Sequence, residues 1–425
     1  MNRLIQLREY DCIYIQEKVA GRQEERQSIS LADFENLKNF ILENEKVNKT
    51  LFLKITTKNN QEVLQAQNYV GIIQLKSGIT IEILPKITNL ENNIDDTKKI
   101  LIKMLKTLKN SPFKTFQLAN LKTEKMPLLE IFIQMFLDEL AILVRKGIKS
   151  DYINIEENQS FLKGKLKINE QLKYNFIHKE RFFINFDEYL PDRIENKIIK
   201  TTLLKIYDIA ISFSIKQRIR TFLFIFDQVE KILNYSNFLK NLKIDRTINY
   251  YETVLLWCKT FLLKESFTPY SGKNIAFALL FDMNSLFESY VSDWIKKHCN
   301  HSVKLQDTTN YLVDKPKKFQ LRPDIVLNDG EIIMDTKWKL VKCEEDISQT
   351  DLYQMFAYAS KYKNCEKVYI VYPFEKNVFL PEYNTVVCGK NVKIIPVFFD
   401  LSKDCINLSM VISSIKSLFS LDFEL

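Results

Sequence analysis

The sequence predicts a multidomain protein of the α+β and α/β classes, in which a mixed β and helical amino-terminal region precedes a small α/β domain. Three observations support this prediction: strand-like runs near the amino terminus, helical periodicity from Thr97, and a helix–hairpin–helix–strand pattern from Asn274. The carboxy-terminal pattern indicates a central mixed sheet. We therefore expect domains at 1–90, 91–272 and 273–425.

The composition is that of an ordinary globular protein. The 425 residues are 46% hydrophobic and 27% charged, which excludes a disordered chain. The net charge of +8 has the sign that suits a polyanionic partner. Seven scattered cysteines without a CxxC pair indicate free thiols in a reducing cytoplasm. No signal-peptide core and no run of about 18 uncharged apolar residues is present, so we expect a cytoplasmic protein without a membrane span.

The amino-terminal region is predicted to contain strands. We expect one at 51–59 and a hairpin formed by 70–75 and 79–87 around Lys76-Ser77-Gly78. The polar stretch 89–96 is the best candidate for a linker.

The central region is predicted to be mainly helical. Apolar periodicity indicates helices at 97–110, 128–145, 194–213, 219–233 and 250–263. Between them, a strand-bearing insert is expected from the segments 161–175 and 180–190.

The carboxy-terminal region alternates between helix and strand patterns. We expect helices at 274–298, 351–362 and 413–419, and strands at 315–327, 331–340, 367–374 and 392–400.

The stretch RPDIVLNDGEIIMDTKWK (322–339) combines two acids with apolar strand patterns. Asp329-Gly330 is a two-residue hairpin signal. Counting outward from it places Asp324 directly opposite Asp335 in the ladder. Carboxylates so placed repel unless a cation lies between them.

Alternation along the strand places Lys337 on the same face as Asp335 and points Thr336 to the other face. Two carboxylates and an ammonium would then converge. Oxygen ligands of this kind suit Mg²⁺ or Mn²⁺, and a lysine there could orient or deprotonate a water. A plain ion pair between Lys337 and an aspartate is the alternative, which sequence alone does not separate from water activation.

Pro323-Asp324 followed by Asp335-Thr336-Lys337 resembles the PD-(D/E)xK nuclease signature, with Asp in place of the commoner Glu. This resemblance implies a restriction-endonuclease-like domain at 273–425. Folds of this kind commonly carry an acid and a glutamine on the flanking helices.

The flanking helices offer Glu288 on one side and Gln354 with Tyr358 on the other. For Glu288, the alternative to a functional role is a solvated residue of the helix. For Tyr358, the alternative is a residue of the hydrophobic core. For Gln354, the sequence favours neither a functional nor a structural role.

Longer stretches resemble the McrC family, the nuclease subunits of 5-methylcytosine restriction systems. They are, in chain order, VGIIQLKSGITIEILPKI, FLKGKLKINEQ, DEYLPDRIENKIIKTTL, LLFDMNSLFESYV, RPDIVL with IMDTKWK, and DLYQMFAYA. The resemblance thus covers most of the chain.

The family resemblance implies roles for single residues. Asp324 and Asp335 would be metal ligands, with Glu288 an additional acid near the metal. Lys337 would position or activate the attacking water, and Gln354 would support the lysine or the phosphate.

The resemblance also implies an activity and partners. The activity is Mg²⁺-dependent endonuclease cleavage of double-stranded, methylated DNA, and the partner is an AAA+ McrB-type GTPase hexamer whose hydrolysis is stimulated. None of the eight glycines begins a GxxxxGK[ST] motif, so we expect this chain to bind no nucleotide itself. Two alternatives remain: a self-sufficient DNA nuclease of repair or another restriction type, and an adaptor that mainly activates the NTPase.

The three histidines are not predicted to be functional. His298 and His301 flank Cys299 at a helix end, but a zinc site needs further ligands that the sequence does not supply nearby. His178 lies in a surface-like stretch and has no triad partners.

Overall fold

The computed structural model of the chain describes residues 3–18, 25–48, 51–87, 93–109, 111–115, 126–241, 246–263, 275–375, 378, 380–387, 389–403 and 405–407. The chain divides into two compact units, one made of Met1–Leu128 with Tyr270–Leu425 and the other of Leu129–Pro269. The division into three domains stays a prediction. In the described ranges, no helix is both long and apolar enough to cross a membrane.

The amino-terminal part of the first unit contains two four-stranded sheets. The first has the order β1 (Arg3–Arg8), β7 (Ile79–Leu84), β6 (Tyr69–Leu75), β11 (Ile275–Asp282). The second has the order β3 (Ser28–Ile29), β2 (Cys12–Ile15), β5 (Gln61–Ala66), β4 (Leu53–Lys58). The helices here are α1 (Leu31–Asn48) and α2 (Ile94–Thr107). Antiparallel pairing of β6 with β7 confirms the predicted hairpin.

The expected linker is helical in its described part. Asn93 caps α2 by accepting a 3.1 Å hydrogen bond from the Asp96 amide, so the helix begins at Ile94. Residues 89–92 lie outside the described residues.

The prediction of one helix over 274–298 is wrong for its first half. Residues Ile275–Asp282 form β11, which pairs antiparallel with β6. Only Met283–His298 is helical (α9), and Asp282 caps it by accepting a 3.0 Å hydrogen bond from the Ser285 amide. A continuous apolar run is typical of a buried strand as well as of a buried helix. Here the run forms a strand because it pairs with the edge of β6.

A mixed sheet organises the carboxy-terminal part of the first unit, as predicted. Its order is β12 (Val303–Leu305), β15 (Ile325–Leu327), β16 (Ile332–Thr336), β17 (Lys367–Pro373), β19 (Lys390–Asp400), β18 (Tyr383–Val387), with β20 (Cys405–Asn407) also paired to β19. The neighbours β16, β17 and β19 are parallel. Helix α10 (Gln349–Lys361) packs Met355 and Tyr358 into a core with Val326, Ile333 and Val368. The predicted helix 413–419 lies outside the described residues.

The expected strand over 315–327 is wrong as a single element. It is divided between β15 and a separate hairpin of β13 (Tyr311–Val313) and β14 (Lys318–Gln320). Phe319 has a φ of 56°, which is incompatible with a continuous extended strand.

The second unit is mainly helical and contains the predicted strand-bearing insert. Its strands β8 (Asp151–Gln159), β10 (Phe182–Leu190) and β9 (Lys165–Leu166) form one sheet in that order. The helices are α3 (Leu128–Lys146), α4 (Ile168–Tyr174), α5 (Ile194–Ile209), α6 (Phe213–Ile225), α7 (Ser236–Lys240) and α8 (Glu252–Leu262). The helix predicted at 219–233 is wrong in its bounds, because α6 begins after the extended residue Ser212 and ends before turns at Phe226–Val229.

Candidate functional site

The hairpin of β15 and β16 has the predicted register. Ile325 lies opposite Met334, so the next pair outward is Asp324 with Asp335. The turn differs from a simple two-residue turn, because Asn328, Asp329 and Gly330 have φ values of 49°, 53° and 97° and the last ladder pair is Leu327 with Ile332.

Both aspartates lie at the carboxyl end of β16 in a poorly solvated environment. Asp335 is 2% exposed and Asp324 is half-buried. Burial, reinforced by the negative charge of Asp335, raises the pKa of Asp324 to about 6. Burial also raises the pKa of Asp335, although Lys337 opposes the shift.

Lys337 connects the aspartates to α10. Its Nζ lies 2.7 Å from Asp335 Oδ2 and donates a 2.8 Å hydrogen bond to Gln354 Oε1. Gln354 Nε2 in turn donates to the Tyr358 hydroxyl at 2.6 Å, and that hydroxyl donates to the Arg322 carbonyl at 3.2 Å. The structure therefore brings Asp335, Lys337 and Gln354 together, and it adds Tyr358 as a buried residue that anchors the glutamine.

Thr336 holds Asp324 in place. Its amide and its hydroxyl each donate a 2.7 Å hydrogen bond to Asp324 Oδ2. The sequence predicted that the Thr336 side chain points away from the site. This prediction is wrong, because the Thr336 hydroxyl contacts Asp324. Asp324 lies just outside β15, so its side chain is free to turn toward the end of β16. A hydroxyl residue between the acid and the lysine was the only sequence signal for this contact.

Glu288 joins the site through Gln306. Gln306 Nε2 donates to Glu288 Oε1 at 2.6 Å, and Gln306 Oε1 accepts from Arg322 Nη2 at 2.6 Å. The Gln306 amide also donates to the Asp324 carbonyl at 2.8 Å. Burial, followed by the charge of Asp324, raises the pKa of Glu288. Sequence reasoning missed Gln306, because no local pattern brings it beside residues so distant in the chain.

The carboxylate oxygens of Asp324 and Asp335 are ligands of the kind that a hard cation prefers. Asp335 Oδ2 is buried and makes no well-directed hydrogen bond, although Lys337 Nζ is close to it. Among the described residues, no three His, Cys, Asp or Glu side chains are grouped as one metal site, while the charges of Glu288 and the two aspartates affect one another. Mg²⁺ commonly binds one or two carboxylates and keeps several waters.

The histidines have structural contacts. His298 Nδ1 donates to the Trp294 carbonyl at 2.8 Å, and the two rings stack with centroids 4.5 Å apart. His178 is exposed beside Glu180, with 3.1 Å between its Nδ1 and the carboxylate.

A buried glutamate contacts the segment just after Lys337. Trp338 Nε1 donates to both carboxylate oxygens of Glu9, at 2.9 and 3.1 Å, and the Lys86 amide donates to Oε2 at 3.0 Å. Glu9 is 1% exposed, and its burial raises its pKa to about 8. The residue directly after β1 is thus in contact with the segment that carries the site lysine.

Comparison with solved structures shows what kind of protein has this fold. A chain in the refined half-complex from the tetradecameric assembly of Thermococcus gammatolerans McrB AAA+ hexamers with bound McrC is 16% identical, with a TM-score of 0.65 and 98% of each chain covered. A chain in the cryo-EM structure of the Thermococcus gammatolerans McrBC complex is 19% identical, with a TM-score of 0.48, covering 69% of this chain and 87% of that one. The first likeness shows that this chain shares its fold with a chain of that assembly.

The family follows from the sequence match. The family model for the McrBC 5-methylcytosine restriction system component matches residues 64–373, which is well over half of the chain. The chain therefore belongs to this family. A search of curated proteins found no match.

Proposed function

We propose that this chain is the metal-dependent DNA endonuclease subunit of a McrBC-like, modification-dependent restriction system. The convergence of Asp324, Asp335 and Lys337 at one edge of the mixed sheet, with Gln354 bonded to the lysine, carries this proposal. The arrangement matches the PD-(D/E)xK signature in the elements where such a site belongs. Family membership supplies the restriction context.

Asp324 and Asp335 would hold Mg²⁺ or Mn²⁺, with Glu288 as a nearby acid. Such an ion supplies an activated water and neutralises charge on the phosphate. Thr336 fixes Asp324 Oδ2 with two hydrogen bonds, and the Asp324 carboxylate held in this way would be one ligand of the ion.

Lys337 would position the attacking water or a phosphate oxygen. Its ammonium has a defined place because Asp335 and Gln354 hold it from two sides, at 2.7 and 2.8 Å. A cation fixed in this way needs little rearrangement as negative charge develops on the phosphate.

We propose further that the chain binds an AAA+ McrB-type GTPase hexamer and stimulates its hydrolysis. The Thermococcus gammatolerans assembly contains McrB hexamers with bound McrC, and this chain shares the fold. The insert of the second unit supports a protein-binding role, because large apolar side chains are exposed on it. They are Tyr152, Phe161, Leu162, Leu166, Ile168, Leu172, Tyr174, Phe176, Ile177 and Tyr189.

The decisive experiment combines the chain with its candidate partner, NTP, Mg²⁺ and methylated or unmethylated DNA. We expect Asp335→Ala to abolish cutting while partner NTPase stimulation is kept. Asp293→Ala, which removes a half-buried aspartate of α9 whose described ion pair is with Lys297, is the matched control and should keep both activities. Loss of both activities in folded Asp335→Ala would contradict the assignment of separate roles.

The same experiment separates the alternatives. Cutting without any partner would indicate a self-sufficient nuclease. NTPase stimulation without cutting by the unmodified chain would indicate an adaptor, which the exposed apolar insert also suits. Calcium in place of Mg²⁺ should permit DNA binding but not cleavage, and cleavage in the absence of any metal would contradict the metal assignment.

A further inference from the structure

A hairpin of unusual exposure precedes Asp324. Strands β13 and β14 form a two-stranded sheet separate from the mixed sheet of the described chain, and nearly every side chain from 311 to 320 is exposed. An isolated hairpin is marginally stable in water. This one is tethered by an ion pair of 2.8 Å between Lys361 of α10 and Asp314, and by a 2.9 Å hydrogen bond from the Leu321 amide to the Asn310 carbonyl.

The exposed surface of the hairpin is basic. Its turn carries Lys315 and Lys317, β14 begins with Lys318, and its one acid, Asp314, is already paired with Lys361. Lys317 Nζ lies 5.7 Å from the Tyr311 ring centroid, while Lys315 and Lys318 form no ion pair with any described residue. Unneutralised lysines clustered on one projection are the electrostatic pattern that phosphate backbones attract.

Phe319 adds an apolar tip to this surface. Its side chain is 71% exposed, and its φ of 56° lies in the left-handed region that bulky residues rarely adopt. Duplex-binding proteins commonly combine basic side chains with an apolar side chain that enters the minor groove and contacts the bases.

The hairpin lies close to the predicted cleavage site. Phe319 and Asp324 are five Cα–Cα steps apart, which limits the distance between their Cα atoms to about 18 Å, roughly half of a B-DNA turn of ~34 Å. The base of the hairpin is also bonded into the site, because Arg322 Nη2 donates to Gln306 Oε1 and Tyr358 donates to the Arg322 carbonyl.

We propose that residues 311–320 are a duplex-DNA contact element that positions the backbone beside the metal site. Lys315, Lys317 and Lys318 bind phosphates within about one turn of the scissile bond, and Phe319 contacts base edges in the minor groove. The inference rests on the proposed nuclease function and names the surface that holds its substrate.

The test measures binding of the full chain to a fluorescent DNA duplex in Ca²⁺ over a series of salt concentrations. Replacing the three lysines by Gln (K315Q, K317Q and K318Q) should weaken binding and reduce the slope of log K against log salt by about 0.9 for each phosphate that the protein no longer neutralises. The matched control replaces Lys363, Lys367 and Lys390 by Gln; Lys367 and Lys390 begin β17 and β19, at the end of the parallel strands opposite the carboxyl end of β16, and the Lys363 carbonyl accepts a hydrogen bond from Lys390. This control removes the same number of positive charges and should leave the binding affinity and the salt slope unchanged.

Phe319 is tested separately. Phe319→Ala should weaken binding roughly 10- to 100-fold with an unchanged salt slope, because it removes the burial of a large apolar side chain that contacts no phosphate. Phe319→Trp should retain most of the affinity. Unchanged thermal melting of each variant shows that the fold is intact.

Three results would overturn the inference. The first two are an unchanged DNA affinity and salt slope in the triple-lysine variant, and an equal loss of affinity in the control variant. The third is a loss of AAA+ partner binding in the triple-lysine variant while its DNA binding stays intact. The last result would assign the surface to a protein. If the hairpin variants behave like the parent while Asp335→Ala still abolishes cutting, only this inference fails. If the parent chain neither binds nor cuts DNA under any condition, the proposed function fails with it.

Discussion

Thr336 donates two hydrogen bonds to the same oxygen of Asp324, one from its amide and one from its hydroxyl, each 2.7 Å long. The backbone bond is kept when another non-proline residue replaces Thr336, whereas the hydroxyl bond depends on the side chain. Thr336→Val should therefore leave the fold intact and loosen the Asp324 carboxylate. Because a hydrogen bond to a charged group contributes about 1.5–3 kcal/mol, we expect cleavage to fall by roughly 10- to 100-fold. The readout is the single-turnover rate at saturating Mg²⁺, and Thr336→Ser, which keeps the hydroxyl, should retain most of it.

Gln354 should matter through Lys337. Gln354→Ala removes the 2.8 Å acceptor of the ammonium and leaves it held by Asp335 alone, so we expect kcat to fall by about 10-fold or more with a smaller change in KM. Tyr358→Phe removes the hydroxyl that accepts from Gln354 and should lower kcat less. An effect of Tyr358→Phe larger than that of Gln354→Ala would contradict this order of contacts.

Glu9 should make stability depend on pH. Its pKa is raised from 4.5 to about 8 by burial, so the fold favours the neutral carboxyl. The corresponding stability is fully present below pH 4.5 and is lost as the pH rises through 8. Glu9→Gln, which mimics the neutral form, should gain stability relative to the parent chain between pH 5 and 8.5, by a difference on the order of 3 kcal/mol. Thermal or urea unfolding across this range measures it. The exposed Glu43→Gln is the control, and equal behaviour of the two variants would contradict the prediction.

Gly71 should be indispensable for the pairing of β6 with β11. A Cβ on this residue would lie 2.1 Å from the Leu279 carbonyl oxygen, and its φ is +138°. Gly71→Ala should lower the free energy of unfolding by about 3 kcal/mol or more. Gly147 isolates the backbone strain, because its φ is +98° and a Cβ there would have no atom within 4 Å. Gly147→Ala should therefore cost about 1–2 kcal/mol. Urea unfolding compares them, and similar losses would show that the close approach of Leu279 is unimportant.

Local patterns were sufficient for much of the carboxy-terminal sheet. The Asp329-Gly330 turn, the alternation along β16 and the helix over Gln349–Lys361 depend on neighbouring residues, so the register of Asp324 against Asp335 was predictable. The apolar run at Ile275–Asp282 was not, because its state depends on whether β6 leaves an edge to pair with.

The sequence by itself determined that two aspartates and a lysine meet at the end of one hairpin, because the turn and the two-residue period of a strand specify that geometry. Only the tertiary structure decided what holds them. Thr336 turns its hydroxyl to Asp324, Gln306 links Glu288 to Arg322, and Glu9 contacts Trp338. The last two arrangements join residues far apart in the chain, and the Thr336 contact depends on where β15 stops, so packing of the whole unit specifies them rather than any local period.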